Sequence, residues 1–228
     1  MSARRRVGVL ISGRGSNLAA LIEACKAPDY PAEIVAVLSN RPEAPGLAFA
    51  AAAGIEARAI DHRAYPSRAA FEDELQSALE AARVELICNA GFMRLLTAPF
   101  VERWRDRHLN IHPSLLPAFK GLHTHERVLA AGVRITGCTV HFVRHEMDSG
   151  PIVAQAAVPV LCDDTPDTLA QRVLQAEHTL YPLALRLVAS GAARVEGKRV
   201  VTAGDGRPSE PIYSPPPAVL TNGTKALT

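Results

Sequence analysis

Arg-His-Leu-Asn-Ile-His-Pro-Ser-Leu-Leu-Pro-Ala-Phe-Lys-Gly, residues 107–121, starts as a short apolar strand and continues as an irregular loop. Successive side chains of a strand point to opposite faces, so the pattern predicts Asn110 and His112 on one face. Pro113 removes a backbone donor and ends the strand. An amide can donate to a developing oxyanion, and an imidazole can move a proton near neutral pH. The spacing alone equally allows a structural role, with Asn110 capping a strand end and His112 as a satisfied buried histidine.

Towards the N-terminus, apolar runs alternate with segments of helical periodicity. The first apolar run, residues 6–12, is continuous, as is typical of a strand that is buried on both faces. This alternation predicts an α/β fold, with a Rossmann-like, twisted, mostly parallel sheet and helices on both faces. The predicted strands are residues 6–12, 33–39, 55–60, 84–90 and 107–112, and the predicted helices are residues 16–25 (with Ser16 as the N-cap), 45–53, 67–83 and 98–104.

Towards the C-terminus, the pattern predicts an antiparallel portion and then a tail. Two longer strands alternate partly between apolar and polar residues, which favours antiparallel pairing. From residue 204 the chain is rich in Pro, Gly, Ser and Thr, so we predict a single domain over residues 1–203 and a flexible tail over residues 204–228. The elements predicted before the tail are a short helix at 123–131, strands at 134–143 and 152–160, a long helix from Pro166 (capped by Asp164 or Thr165) to about Ser190 and a hairpin at 193–202.

The composition excludes several classes of protein. The chain has 228 residues, a formal net charge of +2 and 48% hydrophobic residues, enough for a sizeable core. Its Lys and Arg residues are dispersed, apart from Arg4-Arg5-Arg6, so no nucleic-acid partner is predicted. No segment reaches ~18 uninterrupted apolar residues and no cleavable leader is visible, so no membrane association is predicted. The four cysteines form no C-x-x-C pair, which predicts reduced thiols and a cytoplasmic protein.

The turn after the first strand, Ser12-Gly13-Arg14-Gly15-Ser16-Asn17-Leu18, is a candidate phosphate site. It is not a P-loop, and Leu18 replaces the third glycine of the dinucleotide pattern G-x-G-x-x-G. The second strand ends in Ser39-Asn40-Arg41 without an acidic residue, so a dinucleotide is disfavoured, although Arg41 leaves a phosphorylated nicotinamide cofactor open. Free N–H groups at a helix N-terminus suit a phosphate monoester. A tight turn with purely steric glycines remains the alternative.

The stretch 137–150 predicts a strand followed by a polar loop that carries Glu146 and Asp148. A carboxylate in this loop could orient a histidine or favour its charged form. Taken alone, Asp148 also fits a turn-forming role.

The candidate residues share one position in the predicted fold. Ligands of parallel sheets bind beyond the carboxyl ends of the strands. Gly13, Gly15, Gly91 and residues 110–112 lie at or just past those ends. Their convergence predicts one site at that edge of the sheet.

Five motifs resemble those of the folate-dependent formyltransferases, and of the glycinamide ribonucleotide (GAR) transformylases in particular. The similarity runs in register from about residue 7 to about residue 200. In chain order the motifs are Ser12-Gly13-x-Gly15-Ser16-Asn17-Leu18, Ala90-Gly91-Phe92-Met93-Arg94-Leu95-Leu96, Asn110-Ile111-His112-Pro113-Ser114-Leu115-Leu116-Pro117 followed by Gly121-Leu122-His123-Thr124-His125, Gly137-x-Thr139-Val140-His141-Phe142-Val143 with Asp148-x-Gly150, and Glu177-His178-x-x-Tyr181-Pro182.

The resemblance implies a reaction: transfer of the formyl group of 10-formyltetrahydrofolate to the amine of GAR, which gives formyl-GAR and tetrahydrofolate in de novo purine biosynthesis. In the family's arrangement Asn110, His112 and Asp148 are the catalytic triad. The implied GAR-binding residues are Gly15, Ser16, Asn17 and Glu177, and the implied folate-binding residues are Arg68, Met93, Arg94, Leu95, Leu96 and Asn110.

No metal is implied. The His123/His125 and His141/His145 pairs have ligand-like spacing, but each lacks a further Cys or His nearby. Three departures from the family pattern leave substrate affinity and its pH dependence open: Arg14 where Asn is frequent, His145 where an acid is usual, and Phe119-Lys120 where a Tyr-Pro pair is common. Arg14 would add positive charge near the phosphate. None of the departures removes a member of the triad.

Three other interpretations compete. A methionyl-tRNA formyltransferase shares the Asn-x-His and Asp elements but needs a further C-terminal domain, for which we expect the segment after the hairpin to be too short. A formyltetrahydrofolate hydrolase would add an N-terminal domain before the first strand. A folate- or nucleotide-binding protein without turnover would have no need of the triad. Monomers and homodimers are both compatible with the sequence.

Overall fold

The computed structural model describes residues 3–203 and 213–214. Most of the tail predicted from residue 204 lies outside the described residues. No helix in the described ranges is long and apolar enough to cross a bilayer. The strands are β1 Arg5–Ile11, β2 Ala32–Ser39, β3 Glu56–Ala59, β4 Leu86–Asn89, β5 His108–His112, β6 Ile135–Phe142, β7 Ile152–Pro159, β8 Ala193–Glu196 and β9 Arg199–Thr202. The helices are α1 Ser16–Cys25, α2 Gly46–Ala52, α3 Arg68–Ala81, α4 Ala98–Arg103, α5 Thr124–Ala130 and α6 Pro166–Ala189, with a 3₁₀ turn at His62–Ala64.

The larger sheet confirms the predicted fold class. Its seven strands lie in the order β3-β2-β1-β4-β5-β6-β7. Strands β1 to β5 pair in parallel, whereas β6 and β7 pair antiparallel to their neighbours, as their partly alternating sequences predict. The hairpin β8–β9 forms a separate antiparallel pair. The chain moves outward from β1 to β3 and returns to β4 on the other side, so the strand order reverses between β1 and β4.

The two faces of the sheet carry separate hydrophobic clusters, because the side chains of β1 alternate between them. Val7, Val9 and Ile11 belong to a cluster that includes apolar residues of α1 and α6. Leu10 belongs to a cluster on the other face, with apolar residues of α3. Helices therefore cover both faces, and the central strand is buried on each side.

The N-cap of helix α1 differs from the prediction. The sequence predicts Ser16 as the N-cap, and this is wrong: Ser16 is the first helical residue and Gly15 is the N-cap, with φ of 78° and no side-chain cap. A side chain at Gly15 would put its Cβ 2.7 Å from the Cα of Gly46, at the start of α2. Glycine is therefore required at this position for two reasons, the left-handed backbone and the close approach of the starts of α1 and α2.

Helix α6 packs on the sheet and carries Glu177 to its carboxyl edge. Pro166 is its first residue, and the hydroxyl of Thr165 accepts the backbone N–H of Thr168 at 3.2 Å, so Thr165 is the cap. The buried hydroxyl of Tyr181 donates to the carbonyl oxygen of Asn89 at 3.0 Å. This bond ties the middle of α6, one turn after Glu177, to the end of β4.

Three of the four cysteines are core thiols. Cys25, Cys88 and Cys138 are buried and Cys162 is exposed, and all four are free. Burial raises the pKa of the Cys88 thiol to about 12, so this group stays protonated and behaves as a small apolar side chain.

Candidate active site

Three loops meet at the carboxyl edge of the sheet, where the strand order reverses. They follow β1, β4 and β5 and contain residues 12–15, 90–97 and 113–123. A fourth segment, residues 143–151, joins β6 to β7 and contacts the loop after β5. Ligands of open α/β sheets bind in the crevice at such a reversal.

The loop after β5 is held by side chains of β6 and β7. The hydroxyl of Thr139 donates to the carbonyl oxygen of Ser114 at 2.7 Å and accepts the N–H of Leu116 at 3.1 Å. Gln155 donates to the carbonyl oxygen of Leu116 at 3.0 Å. These bonds satisfy backbone groups of the loop that have no hydrogen-bond partner within the sheet. They also fix the backbone that follows His112.

Asn110 is connected to Asp148 through a fourth residue, His141, and Asp148 faces His112 directly. Nδ2 of Asn110 donates to Nε2 of His141 over 3.2 Å. Nε2 of His141 lies 3.7 Å from Oδ1 of Asp148, and Nδ1 of His112 lies 3.4 Å from Oδ2 of the same carboxylate. The Asp148 side chain is only 8% exposed. The four side chains, in the order Asn110–His141–Asp148–His112, form one contiguous group that we call the polar cluster.

His141 is the member of the polar cluster that sequence reasoning missed. It lies opposite Asn110 in the register of β5 and β6, so the two side chains share a face of the sheet. Its Nδ1 donates to the carbonyl oxygen of Phe142 at 3.0 Å, which leaves Nε2 to accept from Asn110. Burial lowers the pKa of His141 and favours this neutral form. Its place in the motif at 137–143 was the available signal.

Both ring nitrogens of His112 face oxygen acceptors. Nε2 donates to the carbonyl oxygen of Phe119 at 2.9 Å, and Nδ1 faces Asp148. A protonated imidazole donates from both nitrogens and satisfies both neighbours. Oδ2 of Asp148 also accepts the N–H of Gly121 at 2.8 Å, so the carboxylate is itself held in place. This geometry lets Asp148 orient the ring of His112.

Three of the four predicted GAR-binding residues, Gly15, Ser16 and Asn17, lie at the start of α1. The N–H groups of Ser16 and Asn17 belong to the first turn after Gly15, where a helix has no internal acceptors for its amides. Nδ2 of Asn17 donates to Oε2 of Glu177 at 2.8 Å and joins α1 to α6. Glu177 is 6% exposed, and burial raises the pKa of its carboxyl.

The predicted folate-binding residues, apart from Asn110, lie on the loop between β4 and α4 and on α3. Met93 and Leu95 are 61% and 60% exposed although both are apolar. Leu96 packs partly against the α3 cluster. Within the described ranges, the buried Nε of Arg94 has no hydrogen-bond partner. Arg68, the first residue of α3, is exposed and forms no ion pair with any residue that the structure describes.

The departures from the family pattern lie around this site rather than inside the polar cluster. Arg14 and His145 are exposed. Lys120 forms an ion pair of 3.3 Å with Glu146, between the loop after β5 and the segment before β7. Phe119 contacts His112 through its backbone carbonyl, a contact that any residue can supply.

The described part of the chain offers no set of side chains arranged as metal ligands. There, no group of three or more His, Cys, Asp and Glu side chains is placed to hold an ion. Of the His141/His145 pair, His141 belongs to the polar cluster and His145 is exposed.

Most of this chain is similar in sequence to known proteins. The Formyl transferase family model matches residues 5–185. The chain is 56% identical over 190 residues to the trifunctional purine biosynthetic protein adenosine-3 of Gallus gallus, covering 83% of this chain and 19% of that protein. It is 43% identical over 199 residues to the phosphoribosylglycinamide formyltransferase of Escherichia coli (strain K12), covering 84% of this chain and 94% of that protein. The chain thus spans less than a fifth of the trifunctional relative and nearly all of the bacterial one.

A solved structure shares the fold. Glycinamide ribonucleotide transformylase 1 from Symbiobacterium toebii matches with a TM-score of 0.86 and 48% sequence identity, covering 89% of this chain and 95% of that one. The family match covers most of the chain, including every member of the polar cluster. The chain therefore belongs to the formyl transferase family, and within it to the phosphoribosylglycinamide formyltransferases.

Proposed function

We propose that this chain transfers the formyl group of 10-formyltetrahydrofolate to the amine of GAR and so forms formyl-GAR and tetrahydrofolate in de novo purine biosynthesis. The polar cluster carries this proposal, because it combines a hydrogen-bond donor and a proton carrier at the carboxyl edge of the sheet, the edge at which α1 also begins. Membership of the formyl transferase family supports the reaction class.

Asn110 is the proposed donor to the oxyanion. The GAR amine attacks the formyl carbon, a C–N bond forms, and the formyl oxygen takes up the negative charge. Asn110 has two amide N–H groups, and His141 accepts one of them. The second donates to the oxyanion, and a donor whose orientation is already set stabilises charge without reorganising. His141 is then a positioning residue, because it acts through Asn110.

His112 is the proposed second donor and proton carrier. When His112 is protonated, its Nε2–H gives up the hydrogen bond to the carbonyl oxygen of Phe119 and donates to the substrate oxygen instead. Asp148 faces Nδ1 and orients the ring. The tetrahedral intermediate then breaks at its bond to the folate nitrogen. The proton lost by the GAR amine is carried to that nitrogen, so tetrahydrofolate departs neutral there.

The GAR site uses the start of α1. The N–H groups of Gly15, Ser16 and Asn17 hold the phosphate, which the partial positive charge of a helix N-terminus favours. Arg14 adds positive charge beside it. Glu177 faces the amine end of the substrate from α6.

The folate site uses the loop after β4. The co-substrate lies along Met93–Leu96 and residues 144–148, next to Asn110, where exposed Met93 and Leu95 supply apolar contact. Arg68, which is free of protein partners in the described ranges, meets the carboxylates of the benzoylglutamate part. The proposal assigns no metal.

The proposed enzyme works in the cytoplasm as a monomer or homodimer, with two small molecules as partners and no nucleic acid. Core thiols at Cys25, Cys88 and Cys138 suit a reducing compartment.

A turnover assay with GAR and 10-formyltetrahydrofolate tests the proposed triad. Asp148→Asn keeps the shape of the side chain but removes the charge that faces His112 and His141, so kcat falls by ~10²–10³. Asp163→Asn, which changes an exposed carboxyl outside the polar cluster, leaves kcat within about twofold. Release of deformylated folate is followed optically, and formyl-GAR is identified by mass.

Each outcome of this assay has one meaning. Product that requires GAR supports formyl transfer, whereas deformylation at the same rate without GAR identifies a formyltetrahydrofolate hydrolase. Folate binding without any product identifies a binding protein. Equal kcat in the wild type and Asp148→Asn would remove Asp148 from the reaction.

A further inference from the structure

The loop between β4 and α4 is attached to the rest of the molecule by buried side chains that the reaction above does not use. Two attachments, one at Met93 and one at Thr97, enclose Arg94, Leu95 and Leu96. Met93 and Leu95 remain exposed on a backbone that is neither helix nor strand. A stretch of this kind keeps one conformation only when something outside it supplies the hydrogen bonds.

The first attachment joins the ends of three strands. Ser12 follows β1, and its hydroxyl accepts the N–H of Met93 over 2.7 Å. The same hydroxyl donates to Oδ1 of Asn40, the residue after β2, over 2.5 Å. Both Ser12 and Asn40 are buried. A hydroxyl has one proton, and because Asn40 takes it, the oxygen lone pairs are directed at Met93.

The second attachment comes from α3. Oε1 of Glu72 accepts the N–H of Thr97 at 2.8 Å, and Oε2 accepts the hydroxyl of Thr97. Glu72 is buried, and a single residue of the loop engages both of its oxygens. It lies four residues after Arg68 and so on the same side of the helix. The helix that carries Arg68 therefore also fixes the far end of the loop.

We infer that Ser12, Asn40, Glu72 and Thr97 are positioning residues for the folate co-substrate, which hold Met93 and Leu95 as a preformed apolar surface. This inference rests on the proposed function. A loop that is ordered before the ligand arrives loses less conformational freedom on binding, so affinity rises. Neither attachment touches the polar cluster, so the chemical step on bound substrates does not depend on them.

The inference predicts a change in folate affinity that is separate from the rate. In Ser12→Ala and in Thr97→Val, the KM for 10-formyltetrahydrofolate and the Kd of tetrahydrofolate each rise about tenfold, the effect expected of one lost buried hydrogen bond. In Thr97→Val, which lies outside the proposed GAR site, the kcat and the KM for GAR stay within about twofold. Thr97→Ser keeps the hydroxyl and restores the wild-type folate values.

Thr168→Val is the matched control. The hydroxyl of Thr168 also donates to a carboxylate, Oδ1 of Asp164 at 2.9 Å, but at the start of α6. This variant loses a threonine–carboxylate bond and some stability without a change in folate KM. Thermal unfolding of each variant shows whether an effect follows from lost stability.

The outcomes separate this inference from the proposed function. Wild-type turnover with an unchanged folate KM in Ser12→Ala and Thr97→Val overturns the inference alone. The inference alone is also overturned if Thr97→Ser behaves like Thr97→Val. It is likewise overturned if kcat falls and both KM values rise together, in proportion to the fall in melting temperature. A wild type without turnover that binds tetrahydrofolate overturns the proposed function, and calorimetric titration then still tests the inference. A wild type that does not bind tetrahydrofolate overturns both.

Discussion

Two buried histidines of β5, His108 and His112, have different surroundings. Nε2 of His108 donates to Oδ1 of Asn89 at 2.8 Å, and within the described residues its buried Nδ1 has no partner. Burial lowers the pKa of His108 to about 3, so the ring is neutral. His112 instead has an acceptor at each nitrogen. His108 therefore suits a structural role, and His112 is the histidine of this strand that faces acceptors with both ring nitrogens.

The pKa of His108 predicts how stability depends on pH. Between pH 6.5 and about 3 the unfolded chain binds one more proton at this residue than the folded chain does. The free energy of unfolding therefore falls as the pH falls through this range, with a contribution from His108 of up to about 1.4 kcal/mol per pH unit. His108→Gln keeps a donor for Asn89 but does not titrate, so its pH slope is shallower by that amount.

Denaturant unfolding at several pH values between 7 and 4 measures this slope. A slope that is the same in His108→Gln and the wild type would show that His108 is protonated in the folded chain.

At the scale of elements, the β6–β7 pair shows why two glycines belong to the motifs of this chain. A Cβ at Gly137 would lie 1.8 Å from the carbonyl oxygen of Ala156, and a Cβ at Gly150 would lie 1.7 Å from that of Phe142. At both points two segments of backbone approach each other too closely to leave room for a side chain. Because Gly150 follows Asp148 by two residues, this close passage also determines where the carboxylate of the polar cluster lies.

Gly150→Ala is expected to impair catalysis as well as stability. The added methyl forces residues 149–151 away from β6, at a cost of ~1–3 kcal/mol for overpacking. Asp148 moves with them, and a displacement near 1 Å lowers kcat by about 10²-fold. Steady-state kinetics and thermal unfolding measure the two effects.

Gly132→Ala is the control for this substitution. Its φ is 65° and the space around it is open, so the added methyl is strained but meets no neighbour. It lowers stability by ~1–2 kcal/mol and leaves kcat unchanged. A normal kcat in Gly150→Ala would show that this close passage does not position Asp148.

At the scale of the whole molecule, the proposed site draws on residues from Gly15 to Glu177 and on both halves of the sheet. Tyr213 and Ser214 line a groove with residues 134–135 and 157–162, none of which is a proposed substrate contact. We therefore expect a chain that ends at Ala203 to keep kcat and both KM values within about twofold. A loss of about tenfold or more in the turnover assay would assign residues 204–228 a part in the reaction.

The sequence predicts most of the elements to within two residues of where the structure has them. Apolar runs and helical spacing are local properties, so β1 at 5–11 and α6 at 166–189 follow from them. The N-cap of α1 differs because Gly15 must approach Gly46, a residue of another helix. The common face of Asn110 and His112 follows from strand geometry alone.

The sequence by itself determined the class of fold, and it predicted a candidate site at the carboxyl edge of a parallel sheet and the side chains available there for chemistry. Each of these depends on residue type and local periodicity. The tertiary structure decided that His141 lies against Asn110, that Ser12 joins Asn40 to Met93, and that Glu72 holds Thr97. Strand register and helix packing bring together residues far apart in the chain, and such pairing is decided by the packing of the whole core rather than by local pattern.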